Sequence, residues 1–332
     1  MAIEPWNYPY YQLARVAGPQ LVAGNVVLCK HAPSVPQCAL AFERLFTAAG
    51  APAGVWTNVF ATNDQCGALI RDIRVQGVTL TGSERAGASI AEQAGKALKK
   101  VVLELSGSDP FIILEDADLE AAIAKAAEAR LADMGQACAG VKRFIVVGKE
   151  RGQQFLQGMK VIFESLQAGD PADPKTTLGP VINERALHGL LGQVEEARKA
   201  GATVITGGKR VDRPGCYMKP TILTSVDANN PLYLEEAFGP AATLFVVDTE
   251  AEAIKIANAT TFGLGASVMS DDVGHAREVA LQIESGMVFI NGGGIATPQA
   301  PFGGIKNSGF SRELSELGMQ EFVNKKLIRM RA

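Results

Sequence analysis

Cysteine and histidine are scarce. Five cysteines, Cys29, Cys38, Cys66, Cys138 and Cys216, are scattered through 332 residues. Their number is odd and none forms a CxxC pair, which argues against a zinc site and a disulfide framework. The three histidines, His31, His188 and His275, are far apart in sequence, so no metal is expected. Charge imbalance is also missing: 32 basic and 35 acidic residues are interspersed, for a net charge of -3. Without a basic stripe or polybasic run, neither nucleic acid nor a membrane surface is an expected partner. No apolar run is long enough to span a bilayer. The first nine residues lack the basic and apolar regions of a secretory signal, and a reducing cytoplasm is the simplest setting. No GxGxxG follows a strand and no GxxxxGK[ST] occurs. Gly82 and Gly87 share the spacing of P-loop glycines, but no Lys-Ser/Thr pair follows Gly87.

What is present is enough to fold. Hydrophobic residues make up 47% of the chain, so a sizeable core can be buried and disorder is not expected. The length suits two ordinary domains, or one large one with appendages. The first third alternates strand signals (25–30, 54–60, 77–80, 101–105) with helix signals (35–49, 65–73, 83–98). Within 35–49, Leu40, Leu45, Phe46 and Ala49 recur at helical spacing and Gly50 follows as a C-cap. Strands separated by single helices predict right-handed crossovers and a mainly parallel α/β sheet. A second α/β section begins near Ser106, with helices over 119–131, 153–166 and 187–200 and strands over 143–147, 242–247, 266–269 and 287–290. The Gly- and Pro-rich stretch 291–311 reads as a loop of the kind that carries function. The tail 325–331 alternates apolar and basic residues, as an exposed edge strand would.

Three places have the chemistry of a site. Cys138, in Met134-Gly135-Gln136-Ala137-Cys138-Ala139, falls on a junction between helix and strand, where a thiolate nucleophile can be exposed; a small buried hydrophobe is the alternative. Glu104 lies inside Val101-Val102-Leu103-Glu104-Leu105, and a carboxyl among buried neighbours has the raised pKa of a general base; the alternative is a strand-end glutamate facing water. Asn7, between aromatics and prolines in Pro5-Trp6-Asn7-Tyr8-Pro9, offers a rigid amide to an oxyanion, or makes an ordinary Asx turn. Thr81-Gly82-Ser83 opens a helix and is by itself a weak phosphate-site signal.

These segments, together with Leu103-Glu104-Leu105, Gly135-Gln136-Ala137-Cys138, Glu235-Glu236-Ala237-Phe238-Gly239-Pro240 and Pro301-Phe302-Gly303-Gly304-Ile305-Lys306-Asn307-Ser308-Gly309, occur in the order and rough spacing of the aldehyde dehydrogenase superfamily. The sequence resembles that family over essentially its whole length. Lys30-His31-Ala32-Pro33, Ser108-Asp109-Pro110-Phe111 and Ser308-Gly309-Phe310-Ser311-Arg312-Glu313-Leu314 are most similar to a bacterial succinate-semialdehyde dehydrogenase subgroup. The resemblance implies an α/β fold with a Rossmann-variant cofactor domain, which lacks the usual glycine fingerprint, and an α/β catalytic domain. The expected division is a partial cofactor domain over 1–106, a catalytic domain over 107–302, a return to the cofactor domain over 303–324 and an oligomerisation-type tail strand over 325–332.

The resemblance also implies roles. Cys138 attacks the aldehyde, the Asn7 amide and the Cys138 backbone N–H hold the oxyanion, and Glu104 activates the water that hydrolyses the thioester. NADP+ or NAD+ takes the hydride, held by Trp6, Lys30, Pro33, Thr81, Gly82, Ser83, Leu105, Glu236 at the nicotinamide ribose and Phe238 at the ring. Pro33 replaces a glutamate that many NAD-preferring relatives carry, so NADP+ is expected to be accepted at least as well as NAD+. Arg15 is expected to hold a substrate carboxylate, with Thr297 adding a hydroxyl. Ser106 replaces the first glycine of the usual Leu-Glu-Leu-Gly-Gly, which would strain the backbone if that position needs a positive φ. Relatives carry a substantial segment before the Trp-Asn motif, so the chain is expected to be a truncated form, with homo-oligomerisation a property of the complete one. The competing readings are a non-catalytic remnant that binds nucleotide or associates with relatives, and a CoA-acylating enzyme, against which Glu104 argues.

Overall fold

The computed structural model describes residues 1–294 and 296–331. In chain order its elements are β1 (Ala2–Glu4), α1 (Tyr11–Val22), β2 (Val27–His31), α2 (Pro36–Ala48), β3 (Trp56–Asn58), α3 (Asn63–Arg71), β4 (Gly77–Thr81), α4 (Glu84–Lys96), β5 (Lys100–Glu104), β6 (Asp109–Ile113), α5 (Leu119–Leu131), β7 (Val141–Val147), α6 (Lys149–Ser165), α7 (Glu184–Lys199), β8 (Thr203–Thr206), β9 (Thr221–Thr224), β10 (Ala241–Val247), α8 (Glu250–Asn258), β11 (Gly265–Met269), α9 (Val273–Ala280), β12 (Met287–Ile290), β13 (Gly309–Phe310) and α10 (Ser315–Gln320). They form two compact units, one of Met1–Leu105, Ala296–Gly304 and Gly309–Ala332, the other of Ser106–Ile295 and Ile305–Ser308.

The first unit is a doubly wound sheet of order β13-β5-β4-β1-β2-β3. All neighbours are parallel except β13 on β5. Alternation along each strand sends side chains to opposite faces. Ala2, Val27 and Cys29 pack with Leu13, Val16 and Ala17 of α1 and Phe42 of α2. Val78, Leu80 and Leu103 pack on the other face with Ile70 of α3 and Ile90 and Ala94 of α4. The Thr62 and Gln65 side chains form a capping box at α3, and Ser83 caps α4, satisfying amides that a helix start leaves open.

The second unit holds a seven-stranded sheet, β12-β11-β6-β7-β10-β9-β8, parallel except for β8. Phe111, Ile113, Phe144 and Val146 face α5 and α6, while Ile112, Ile145 and Val147 face α8 and α9. β6 is central although it contains Pro110, which has no N–H for the ladder; the register shifts between Asp109 and Pro110, as a proline inside a sheet requires. No helix among the described residues is long and apolar enough to cross a membrane.

One expectation is corrected. Residues 325–331 form no strand, and Leu327, Ile328 and Met330 are exposed. An alternating pattern gives a strand only where a neighbouring edge supplies hydrogen bonds, and no strand among the described residues pairs with it; Ala332 lies outside them. The loop expected over 291–311 is largely irregular, but it ends in a short turn (Lys306–Ser308) and in β13, which completes the first sheet.

Candidate active site

In the first unit the carboxyl ends of four parallel strands place polar residues in one row. His31 is in register with Glu4, Ile3 with Leu80, and Thr81 with Glu104, so Glu4 and Glu104 flank Thr81 on one face. Glu104 is 1% exposed, and neither carboxyl oxygen has a hydrogen-bond partner among the described residues. Burial, then the charge of Glu313, pushes its pKa well above the ordinary carboxylate value, while Arg15 and Arg312 partly offset this. Burial and Glu313 raise Glu4 in the same way, against Arg15 and a Thr81 hydrogen bond. Sequence reading missed Glu4, because three residues of β1 are too few to mark it as lying in a buried strand.

Arg15 is the cation of this cluster. It is 3% exposed and pairs with Glu313 at 2.7 Å. It donates to Thr81 Oγ1 at 3.3 Å and stacks on the rings of Phe302 at 4.4 Å and Tyr11 at 5.2 Å. Its guanidinium thus already faces protein carboxylates, and a substrate carboxylate would have to compete with Glu313. Arg15→Ala is expected to cost on the order of 3–5 kcal/mol of stability, because it leaves buried carboxylates uncompensated; a fall in the urea midpoint measures it.

Asn7 is half-buried and its side-chain amide bonds that of Gln12 at 2.8 Å. Trp6 is half-buried beside it in sequence. Lys30, on β2, is half-buried and Pro33 exposed. Ser83 is exposed at the start of α4, while the Gly82 N–H donates to Glu104 O at 2.9 Å. Leu105 presses on α4 at Gly87, where an added Cβ would lie 2.6 Å from its methyls. A helix start with an exposed hydroxyl, at the carboxyl ends of parallel strands and with a lysine on β2, the second strand over from β4, suits a dinucleotide phosphate. Thr297 is exposed.

In the second unit Cys138 is half-buried on the loop between a 3-10 turn (Ala132–Gly135) and β7. Asp133, Met134 and Gly135 are all left-handed, with φ of 46°, 54° and 75°. Gln136 pins the turn: Nε2 donates to Asp133 O at 3.1 Å, and Oε1 accepts from Ile182 N at 2.8 Å. Arg130, with no exposed surface, donates to Gly135 O. Lys142 donates to Ala137 O at 2.8 Å and to Cys138 O, and pairs with Glu236 at 3.0 Å. Glu236 also accepts from Gly107 N at 3.2 Å. Phe238 is half-buried two residues on. Asp109, buried nearby, is pushed up to about 6 by burial, against the pull of Lys142.

Glycine is required twice here. A Cβ on Gly107 would lie 2.7 Å from Cys138 O, and one on Gly135 would collide with Gly239 O. The loop that carries Cys138 therefore packs backbone to backbone against both neighbouring segments. Ser106 is not among the residues with positive φ, so the side chain that replaces a glycine there adds no backbone strain, and its carbonyl accepts from Ser308 Oγ at 2.6 Å. The buried cations Arg130 and Lys142 escaped the sequence reading, since each is held by partners that only the fold supplies.

The aldehyde dehydrogenase family profile matches residues 1–328, and the chain belongs to that family. It is 50% identical over 329 residues to a succinate-semialdehyde dehydrogenase [NADP(+)] of Deinococcus radiodurans, covering 99% of this chain and 69% of the relative. It is 47% identical to a probable succinate-semialdehyde dehydrogenase [NADP(+)] of Synechocystis, covering 99% and 72%. The crystal structure of succinic semialdehyde dehydrogenase from Streptococcus pyogenes, in complex with NADP+, superposes with a TM-score of 0.98 at 46% identity, covering 100% of this chain and 72% of that one. The α/β architecture expected from the sequence is the architecture found.

Proposed function

We propose that this chain oxidises succinate semialdehyde to succinate with NADP+ as hydride acceptor. The relatives named for that substrate and cofactor support the choice of both. The observation that carries the reaction type is Glu104, a buried carboxyl with no hydrogen-bond partner among the described residues and a raised pKa. Such a group is costly to keep unless chemistry uses it. A base for water distinguishes thioester hydrolysis from transfer to CoA.

In this reading the Cys138 thiolate adds to the aldehyde carbon, a C–S bond forms, and the carbonyl electron pair moves onto oxygen. The Cys138 N–H and the Asn7 amide stabilise that oxyanion. NADP+, when bound, accepts the hydride released as the adduct becomes a thioester. Glu104 takes a proton from water, whose oxygen attacks the thioester carbon; the C–S bond breaks and the acid leaves. The first unit is assigned the cofactor, through Trp6, Lys30, Pro33, Thr81, Gly82, Ser83 and Leu105. The second is assigned the nucleophile, with Glu236 and Phe238 toward the nicotinamide end. Thr297 is assigned a contact to substrate. Arg15 is assigned first as counter-ion to the carboxyl cluster, and to a substrate carboxylate only where that displaces Glu313.

The test is NADPH formation from succinate semialdehyde, with butanal as the neutral comparison. Turnover with a preference for the charged aldehyde is expected; NADP+ binding without turnover would instead favour a non-catalytic nucleotide-binding protein. NADP+ is expected to give a kcat/KM at least equal to that with NAD+, and Pro33→Glu to shift the ratio toward NAD+, since a carboxylate there would repel a 2′-phosphate and accept ribose hydroxyls. A strong NAD+ preference in the unmodified chain would contradict this.

A further inference from the structure

We propose that Lys142 is a positioning residue that fixes and polarises the oxyanion donor. The inference rests on Cys138 being the nucleophile. The Cys138 N–H belongs to the same peptide group as the Ala137 carbonyl. That carbonyl accepts from Lys142 Nζ at 2.8 Å and from Gly140 N at 3.1 Å, which uses both lone pairs and fixes the plane of the amide. A cation on the carbonyl oxygen draws electron density from the amide nitrogen and makes its N–H a stronger donor, as linked hydrogen bonds polarise one another. A charge-assisted bond does this more than a neutral one.

The surroundings favour the effect. Lys142 is 3% exposed, so its charge is weakly screened. Its ammonium has three protons, and they are directed to the Ala137 carbonyl, the Cys138 carbonyl and the Glu236 carboxylate. Glu236 supplies the opposite charge that offsets the cost of burying an ammonium, and Asp109 adds a second carboxyl beside it. With Gly135 packed on Gly239 and Gly107 on Cys138 O, the loop has no room to follow if the lysine is lost. Any buried donor can hold a loop, as Arg130 does at Gly135 O. Only the bond to Ala137 O acts directly on the amide whose N–H meets the oxyanion.

Two reactions of the full chain, run without cofactor, separate the electronic role from a structural one. With p-nitrophenyl acetate the thiolate attacks the ester carbonyl, the π pair moves onto oxygen, and collapse expels p-nitrophenolate and leaves an acyl-Cys138; an oxyanion forms on the way. With iodoacetamide the thiolate displaces iodide from a saturated carbon and no oxyanion forms. Each rate is taken at its alkaline plateau, where the thiol is ionised in every variant. Lys142→Met is expected to lower acylation about thirtyfold while alkylation changes less than about threefold. Lys142→Gln, which keeps a neutral N–H for the Ala137 carbonyl, is expected to fall between, and carries the test alone if Lys142→Met does not fold. Equal losses in both reactions would reduce Lys142 to a structural clamp, and unchanged acylation would remove it from the reaction; either result overturns the inference. Cys138→Ser is run alongside: if it is acylated as fast as the unmodified chain, the nucleophile assignment itself fails, which is a separate outcome.

Discussion

Cys138→Ala is expected to abolish NADPH formation, with Cys29→Ala, Cys38→Ala, Cys66→Ala and Cys216→Ala each retaining it. Three of the four spared thiols lie in surroundings that do not make nucleophiles. Burial pushes Cys29 and Cys66 up, and burial with the Glu184 carboxylate does so for Cys216; a neutral thiol attacks poorly. Cys38, the fourth, lies half-buried in the first turn of α2, away in sequence from the loop that carries Cys138. Cys138 lies half-buried on a loop whose carbonyls at Gly135, Ala137 and Cys138 accept from buried cations. Steady-state turnover by Cys138→Ala above a background trace would remove the thioester from the mechanism.

Glu104→Gln is expected to leave a burst of about one NADPH per active chain and then to lower steady turnover by roughly 10²–10⁴, the contribution of a general base. The hydride step does not need the base and the hydrolytic step does. The pH profile follows from the direction of the shift. Glu104 must be ionised to accept a proton, and burial and Glu313 raise its pKa, so hydrolysis in the unmodified chain rises as pH climbs through that raised value, and the rise is absent in Glu104→Gln. The stability sign runs the opposite way. A carboxyl whose folded pKa lies above its unfolded value contributes stability below the unfolded value and loses it as pH rises through the folded one. Glu104→Gln should therefore melt higher than the unmodified chain on the alkaline side, and less so in acid. Stopped-flow absorbance and thermal melting across pH measure the two effects; a variant with no burst and an unchanged pH rise would assign the base elsewhere.

The helix over Leu119–Leu131, a run of strong helix formers, and the strand over Met287–Ile290, a short apolar run, fall where the sequence places them. The helix α1 was missed, since Gly18 and Pro19 lie inside it. β1 was missed because three residues carry no period, and β6 because Pro110 argues against a central strand unless a register shift accommodates it. The site divided in the same way. Cys138 and Glu104 were candidates from local context, as a loop thiol and a carboxyl inside an apolar run, and take their proposed roles from the family resemblance. Lys142 and Arg130 were not, because a buried cation looks like a surface one until its partners are known, and those of Lys142 include Glu236, far along the chain. Arg15, which the resemblance assigns to a substrate carboxylate, pairs in this structure with Glu313, a partner the sequence alone does not show.

The turn before Cys138 is held by its neighbours against its own local preference. Asp133 and Met134 hold a backbone conformation that side chains disfavour, at a cost of about 1–3 kcal/mol each. That conformation persists because Gln136, Arg130 and Gly179, through their hydrogen bonds, hold it against the rest of the unit. Local propensity does not maintain it. A segment of this kind opens in small excursions that leave the sheets intact. Heating is then expected to cost turnover before it melts the sheets, and activity and melting followed on one sample as temperature rises would show the two parting if the turn fails first.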